Sequence, residues 1–252
     1  MRLSDNLIAE SSVNLAPFID YTLLKPIVSL DDIEFLCKTA GVRKYKSICI
    51  NGSWVSLVKS AFPQLTVCCV VDFPLGAQSI SSKVFEITSS LLSGADELDI
   101  VLNLSSIKEK KFSVLSRDIK TMLLAAHNVV VNKPGINRKP LVVKFIIETG
   151  YLSDNEMIDV SKLIRDAYYT DRHEHEKVVE CFVKTCTGFG PRGVEHNDIK
   201  NIKFGIGDNS IGIKASGGIS TIDTVSLLLT LGATRIGTST DLLNQNLVKN
   251  IL

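Results

Sequence analysis

The run Glu180-Cys181-Phe182-Val183-Lys184-Thr185-Cys186-Thr187-Gly188 governs how the rest of the chain is read. It is a short segment of β-formers that closes on a lysine and gives way to small residues and the glycine-rich stretch Gly188-Phe-Gly190-Pro-Arg-Gly193. Lysine is awkward in a buried strand, because taking an ammonium out of water is costly. The group then tends to shed its proton and become a nucleophilic amine. A second segment has the same form, Ile211-Gly212-Ile213-Lys214 followed by Ala215-Ser216-Gly217-Gly218. These two segments read as strands that carry Lys184 and Lys214 to the same end of a sheet.

Working outward, strand candidates begin near residues 18, 47, 65, 97, 141, 180, 210 and 234. Helical patterns fall between them, at 31–38 (capped by Ser29 or Asp31), 54–61, 79–92, 112–131, 153–167 and 220–231. Ser153-Asp-Asn-Glu156 has the form of a capping box. Residues 1–15 read as a short helical arm and 241–252 as a terminal helix, whereas 190–210 is weakly helical at best. Several strands are apolar on consecutive positions, as a sheet covered on both faces requires. Strict strand–helix alternation predicts a parallel sheet. Eight such units in 252 residues predict one α/β domain over 1–252, a closed (β/α)8 TIM barrel. The alternative is an open, doubly wound Rossmann-like sheet.

Hydrophobic residues make up 45% and charged residues 22%, which permits a sizeable core and argues against global disorder. A net charge of +1 argues against nucleic-acid binding through a basic surface, while leaving a local anion site open. Met1-Arg-Leu-Ser-Asp-Asn6 has no apolar stretch behind it of the kind a signal peptide needs, and no apolar run reaches membrane-spanning length. A soluble, cytoplasmic protein is the expectation, with no membrane partner. The six cysteines lack zinc-like spacing and read as reduced thiols, so no metal site is expected. The charged stretch 168–179, with His173-Glu-His175-Glu, reads as a solvated excursion, because it lacks the i, i+4 spacing of helix-borne metal ligands.

In a parallel barrel the site lies at the C-terminal ends of the strands. The polar residues there are Asp20, Thr22, Cys49, Asp99, Lys144, Glu148, Lys184 and Lys214. With a period of two, turning Lys184, Lys214 and Asp99 inward sends Val183, Cys181, Ile213, Ile211, Leu98 and Ile100 toward the helices, and Gly212 leaves room inside. Two lysines on adjacent strands repel, which favours the neutral amine on one of them, and Asp99 supplies a carboxylate for proton transfer. The competing reading is a buried Asp–Lys ion pair that only ties strands together. Gly217-Gly218 and Gly237-Thr238-Ser239 place small residues where backbone N–H groups can approach an anion, or else form tight turns. Gly188 to Gly193 matches G-x-G-x-x-G literally, but Pro191 lies inside it and no clear helix follows, so a dinucleotide cofactor is not expected.

Several motifs resemble the deoxyribose-phosphate aldolase family. In chain order they are Asp20-Tyr-Thr-Leu-Leu-Lys-Pro26, Phe73-Pro-Leu-Gly-Ala77, Gly94-Ala-Asp-Glu-Leu-Asp99-Ile-Val101 and Lys144-Phe-Ile-Ile-Glu-Thr-Gly150. They continue with Val183-Lys-Thr-Cys-Thr-Gly-Phe-Gly190, Lys214-Ala-Ser-Gly-Gly-Ile219 and Gly232-Ala-Thr-Arg-Ile-Gly237, and cover nearly the whole chain. The resemblance implies a (β/α)8 barrel that cleaves 2-deoxy-D-ribose 5-phosphate reversibly to acetaldehyde and D-glyceraldehyde 3-phosphate, with no metal or other cofactor. It implies Lys184 as the Schiff-base lysine, Lys214 as the second lysine and Asp99 as the proton shuttle. The expected substrate-binding set is Asp20, Thr22, Cys49, Thr187, Gly188, Gly217, Gly218, Gly237, Thr238 and Ser239. Expected partners are a sugar phosphate and small aldehydes, with a homo-oligomer left open. Some residues depart from the family pattern: Tyr21 stands where many members have His, Cys186 where Ser is usual and Ser220 where Arg is common. The 168–179 excursion is long, and no tyrosine ends the chain. None of these removes a catalytic group. The alternatives are a barrel that binds sugar phosphates or a partner without turnover, and a Schiff-base aldolase with a different acceptor.

Overall fold

Eight β-branched, cysteine-rich or charged segments form strands in the computed structural model, which describes residues 14–132, 140–170, 178–207 and 211–244. The strands are β1 Ile19–Leu23, β2 Ser47–Ile50, β3 Val67–Val71, β4 Glu97–Val101, β5 Leu141–Ile146, β6 Val179–Lys184, β7 Gly212–Ser216 and β8 Arg235–Thr238. Each pairs in parallel with the next, and β8 closes on β1. The Asp20–Gly237 pairing across that seam excludes the open Rossmann-like alternative. The register sets Thr22 beside Cys49, Asp99 beside Lys144, and Lys184 beside Lys214.

The helices are α1 Leu30–Arg43, α2 Val55–Ala61, α3 Ile80–Leu92, α4 Leu104–Lys108, α5 Phe112–Asn132, α6 Asp154–Thr170, α7 His196–Ile206 and α8 Ile222–Leu231. Their starts follow capping chemistry. Ser29 accepts from the Asp32 N–H while Asp32 reaches back, and Ser79 and Thr221 accept from Ser82 and Thr224. Ser153 and Glu156 make the expected reciprocal bonds.

Four expectations are corrected. The 190–210 stretch contains a full helix, α7: Glu195 and Asp198 form its capping box, and Ile199, Ile202 and Ile206 bury one face. An exposed Phe204 off that face, and Asp198 and Gly205 buried on it, hid the period. The short α4, started by the Asn103 side chain, is an extra turn between β4 and α5. Residues 241–244 form a turn, held by Arg43 and Tyr45 on Asp241, and not the start of a helix. The rest of the expected terminal helix, residues 1–13 of the expected 1–15 arm, and 171–177 with His173 and His175 lie outside the described residues. Of the expected 168–179 excursion, Tyr168 to Thr170 instead finish α6, with Tyr168 buried, and Val179 opens β6. Among those described, no helix is long and apolar enough to cross a membrane.

The strand alternation holds. Leu98, Ile100, Cys181, Val183, Ile211 and Ile213 join the main apolar core beneath the helices. The barrel interior is different. Leu24, Cys49, Cys68 and Val70 form a small apolar cluster there, and charged side chains fill much of the remainder. Phe182 occupies the space that Gly212 leaves, since a Cβ on Gly212 would lie 2.2 Å from its ring.

Candidate active site

Inward-facing positions of all eight strands bring a charged cluster together. At its centre is Asp99, which has no exposed surface. Its Oδ2 accepts from Lys184 Nζ at 2.6 Å and from Lys214 Nζ at 2.7 Å, and its Oδ1 accepts from Lys144 Nζ at 2.9 Å and Cys68 Sγ at 3.0 Å. Lys214 Nζ also lies 2.6 Å from Asp20 Oδ2, an ion pair without hydrogen-bond alignment. Asp20 Oδ1 accepts from Ser47 Oγ and from Arg235 Nη1, each at 2.7 Å. Arg235 reaches on to Glu97 at 3.0 Å, and Glu97 Oε2 lies 2.7 Å from Lys144 Nζ.

Four cations therefore meet three carboxylates, all of them buried. Burial alone would raise the Asp99 acid, but Lys144, Lys184 and Lys214 outweigh it and hold the group well below the usual carboxylate range. Asp20 follows the same balance, with Lys214, Lys144 and Arg235 overcoming burial. Burial would likewise strip the proton from Lys214, yet Asp20 and Asp99 reverse that and raise the group above its ordinary value. Lys144 is raised too, by Asp99, Cys68, Glu97 and Asp20 against burial. Lys214 is thus a fixed ammonium, and Asp99 sits between it and Lys184 as a shared counter-ion. Among the described residues, Lys184 has a single carboxylate partner, whereas Lys144 and Lys214 each have at least two.

The loops beyond the lysines are stitched down. Thr185 Oγ1 donates to the Ser216 carbonyl and accepts from the Ser216 N–H, both at 3.0 Å, and Ser216 Oγ donates to the Cys186 carbonyl at 2.6 Å. Thr187 donates through both its N–H and its hydroxyl to the buried carboxylate of Glu148, whose backbone is left-handed at φ 53. A Cβ on Gly190 would lie 2.8 Å from Glu148 Oε1, which accounts for the glycine there. Arg192 binds Asp198 of α7 through two nitrogens, at 2.8 and 2.9 Å, and Asp198 also accepts from Thr149 Oγ1 at 2.7 Å. The glycine-rich stretch is therefore a pinned rim loop.

Of the residues picked out in the sequence, Lys184, Lys214, Asp99, Asp20 and Cys49 converge inside the barrel. Thr22 is half-buried above Asp20 and donates to the Asp20 carbonyl. Gly217 and Gly218, both left-handed, sit beside Gly237-Thr238-Ser239 through the Ser216–Gly237 pairing, with the N-terminus of α8 close by in the chain. Thr238 donates to the Ile219 carbonyl at 2.6 Å, and Ser239 and Ser220 are exposed. Thr187 is turned toward Glu148, with Gly188 left-handed beyond it. Sequence reasoning missed Glu97, Cys68 and Arg235, and gave Lys144 no role. The period-two rule could have found two of them, since Glu97 lies two residues before Asp99 and Arg235 two before Gly237. Donor atoms of Cys49, Cys68 and Asp99 fall within 4.8 Å of one another. Asp99 is already bound by three ammonium groups, so that donor set fits a metal cation poorly.

A lysine beside a fixed ammonium and an ionised aspartate, inside a closed parallel barrel, is equipped for amine chemistry on a carbonyl carbon, and the class it defines is the aldolases, which are carbon–carbon lyases. The comparisons narrow this. A deoxyribose-phosphate aldolase from Dictyoglomus turgidum is 39% identical over 227 residues, which span 89% of this chain and 93% of the relative. One from Thermoanaerobacter pseudethanolicus is 37% identical over 229 residues, 90% and 93% of the two chains. The chain belongs to the deoxyribose-phosphate aldolase family. Among solved structures, an aldolase designated QR15 superposes with a TM-score of 0.80 at 31% identity, covering 95% of this chain and 98% of its own. A deoxyribose phosphate aldolase from Aeropyrum pernix, described as tetrameric, does so with a TM-score of 0.76 at 25% identity, covering 94% and 92%. No protein-family model matches the chain.

Proposed function

We propose that this aldolase cleaves 2-deoxy-D-ribose 5-phosphate reversibly to acetaldehyde and D-glyceraldehyde 3-phosphate through an imine on Lys184. The observation that carries the reading is the single buried oxygen Asp99 Oδ2, bonded by both Lys184 and Lys214. The cluster holds one more cation than carboxylates, and Lys184 is the lysine with one carboxylate partner among the described residues, where Lys144 and Lys214 have more.

The neutral amine adds to C1 of the open-chain sugar, and loss of water leaves a protonated imine. Asp99, with water as relay, takes the proton from the C3 hydroxyl, and the Lys214 ammonium stays beside it as a counter-charge. The C2–C3 bond breaks, its electron pair moves into the imine to give an enamine, and D-glyceraldehyde 3-phosphate departs. The enamine takes a proton at C2, and hydrolysis frees acetaldehyde and the amine. Every step is supplied by the chain and water, with no metal or organic cofactor.

Asp20, Thr22, Cys49, Thr187 and Gly188 flank the sugar in this reading. The phosphate rests on backbone N–H groups of Gly217, Gly218, Gly237 and Thr238, with the Ser239 hydroxyl and the α8 N-terminus adding to the field. A cytoplasmic enzyme fits these small-molecule partners, and a homo-oligomer fits the tetrameric Aeropyrum relative. Borohydride reduction in the presence of acetaldehyde, followed by peptide mass mapping, tests the mechanism. A two-carbon adduct on Lys184 is expected; an unmodified Lys184 peptide under saturating aldehyde removes it.

A further inference from the structure

We propose that Glu97 and Arg235, on the barrel floor, are positioning residues that set the charge count of the buried cluster and so the share of Lys184 present as free amine. The inference rests on the imine reading above, and concerns residues that the chemistry itself does not touch.

The two side chains lie below the reacting centre. Glu97 opens β4, two residues before Asp99, and Arg235 opens β8, two before Gly237. Both are buried, at 3% and 4% exposure. They line a cavity of about 510 Å³ at the N-terminal end of the barrel, with Lys46, Lys59, Asp96 and Glu180. Substrate in a parallel barrel enters from the opposite end. Arg235 is held by Asp20 Oδ1, by both oxygens of Glu97 and by the Phe182 ring, whose centroid lies 5.5 Å from its guanidinium carbon.

The cluster draws one or more polar groups from every strand: Asp20 from β1, Ser47 and Cys49 from β2, Cys68 from β3, and Glu97 with Asp99 from β4. Lys144, Lys184, Lys214 and Arg235 come from β5, β6, β7 and β8. Cys68 keeps its proton, because burial pushes its thiol well up. The bond with Cys68 draws the Cys49 thiol down; with both thiols protonated, the charged members are Lys144, Lys184, Lys214 and Arg235 against Asp20, Glu97 and Asp99. A guanidinium does not give up its proton in a protein, so Arg235 cannot relieve the excess. The excess therefore falls on a lysine. Lys144 and Lys214 are each held by further carboxylates, Lys144 through Glu97 and Asp99 and Lys214 through Asp20 and Asp99, which leaves Lys184. Arg235 creates the surplus, and Glu97 limits it to one.

The test is the pH profile of borohydride-trapped acetaldehyde adduct on Lys184 in wild type, Arg235→Met, Glu97→Gln and the double variant. Arg235→Met leaves three cations to three carboxylates, and the midpoint should move to higher pH by about one unit or more, a tenfold loss of adduct at a fixed pH below it. Glu97→Gln raises the surplus to two and should move the midpoint the other way. The double variant restores a surplus of one and should return toward wild type. Arg235→Lys keeps the charge and should hold the wild-type midpoint. A purely structural role would lower the yield of folded protein or the turnover number without moving any midpoint. Unmoved midpoints, or shifts of the same sign in both single variants, overturn the proposal; if one variant fails to fold, the other decides by its sign. Absence of adduct in the wild type instead removes the imine reading.

Discussion

Replacing Lys214 with Met deletes one ammonium and keeps much of the side-chain volume. Lys184 Nζ and Lys214 Nζ bind the same oxygen at 2.6 and 2.7 Å, so they are no more than about 5.3 Å apart. Two unit charges at that separation repel by about 3 kcal/mol at an effective dielectric of about 20, equivalent to about two pH units. The loss of Lys214 also leaves Asp20 Oδ2 with Lys144 at 3.8 Å as its lysine partner and Asp99 with one cation fewer, so both carboxylates attract the remaining protons more strongly. Both effects have the same sign. The pH profile of trapped adduct on Lys184 should move about two units toward alkaline pH, and trapping at neutral pH should fall by about a hundredfold. Raising the pH should restore much of the trapping but not full turnover, because Lys214 also orients and holds ionised the Asp99 carboxylate that moves the proton. Superimposable profiles for variant and wild type would refute the claim that one lysine governs the other.

Ser220→Arg should lower KM for the phosphorylated sugar and do less for free deoxyribose; equal effects in steady-state kinetics would place residue 220 away from the phosphate. Asp20→Asn should lower thermal stability by a few kcal/mol at neutral pH, since it breaks a buried pair. Because the folded Asp20 acid lies below its unfolded value, that loss should be complete above about pH 4 and shrink as pH falls further, as followed by calorimetry across pH. Gly190→Ala should push Glu148 off Thr187 and cost about 1–3 kcal/mol, read as a lower Tm together with a lower kcat. A variant with wild-type Tm would show that the rim loop absorbs the methyl group.

The barrel was legible because its strands carry their own punctuation. Ser47–Ile50 and Glu97–Val101 match their expected bounds, set by runs of β-formers between turn residues. Lys184 and Lys214 stood out for the same reason, each a charge after an apolar run, Lys184 closing β6 and Lys214 midway along β7. Glu97 and Arg235 were harder to see, because they open their strands, where a charge reads as loop. Their significance appears only when β1, β4 and β8 meet across the interior, a contact between residues as far apart as 20 and 235. The Glu148 role was hidden for another reason. Its left-handed backbone and its grip on Thr187 depend on how the β5 and β6 loops meet, and no local pattern encodes that.

The seam between first and last strands is closed by more than backbone pairing. Asp20 of β1 and Arg235 of β8 bind one another in the interior, and each is also committed to strands elsewhere in the barrel. A half-assembled barrel would therefore bury charges whose partners had yet to arrive, a state penalised more heavily than an incomplete apolar core. Partial barrels should be scarce at equilibrium, and the polypeptide should unfold in one concerted step despite its length. Chains cut between β4 and β5 should recover order only when both pieces are mixed, with the ionic interior acting as a checksum on completed assembly.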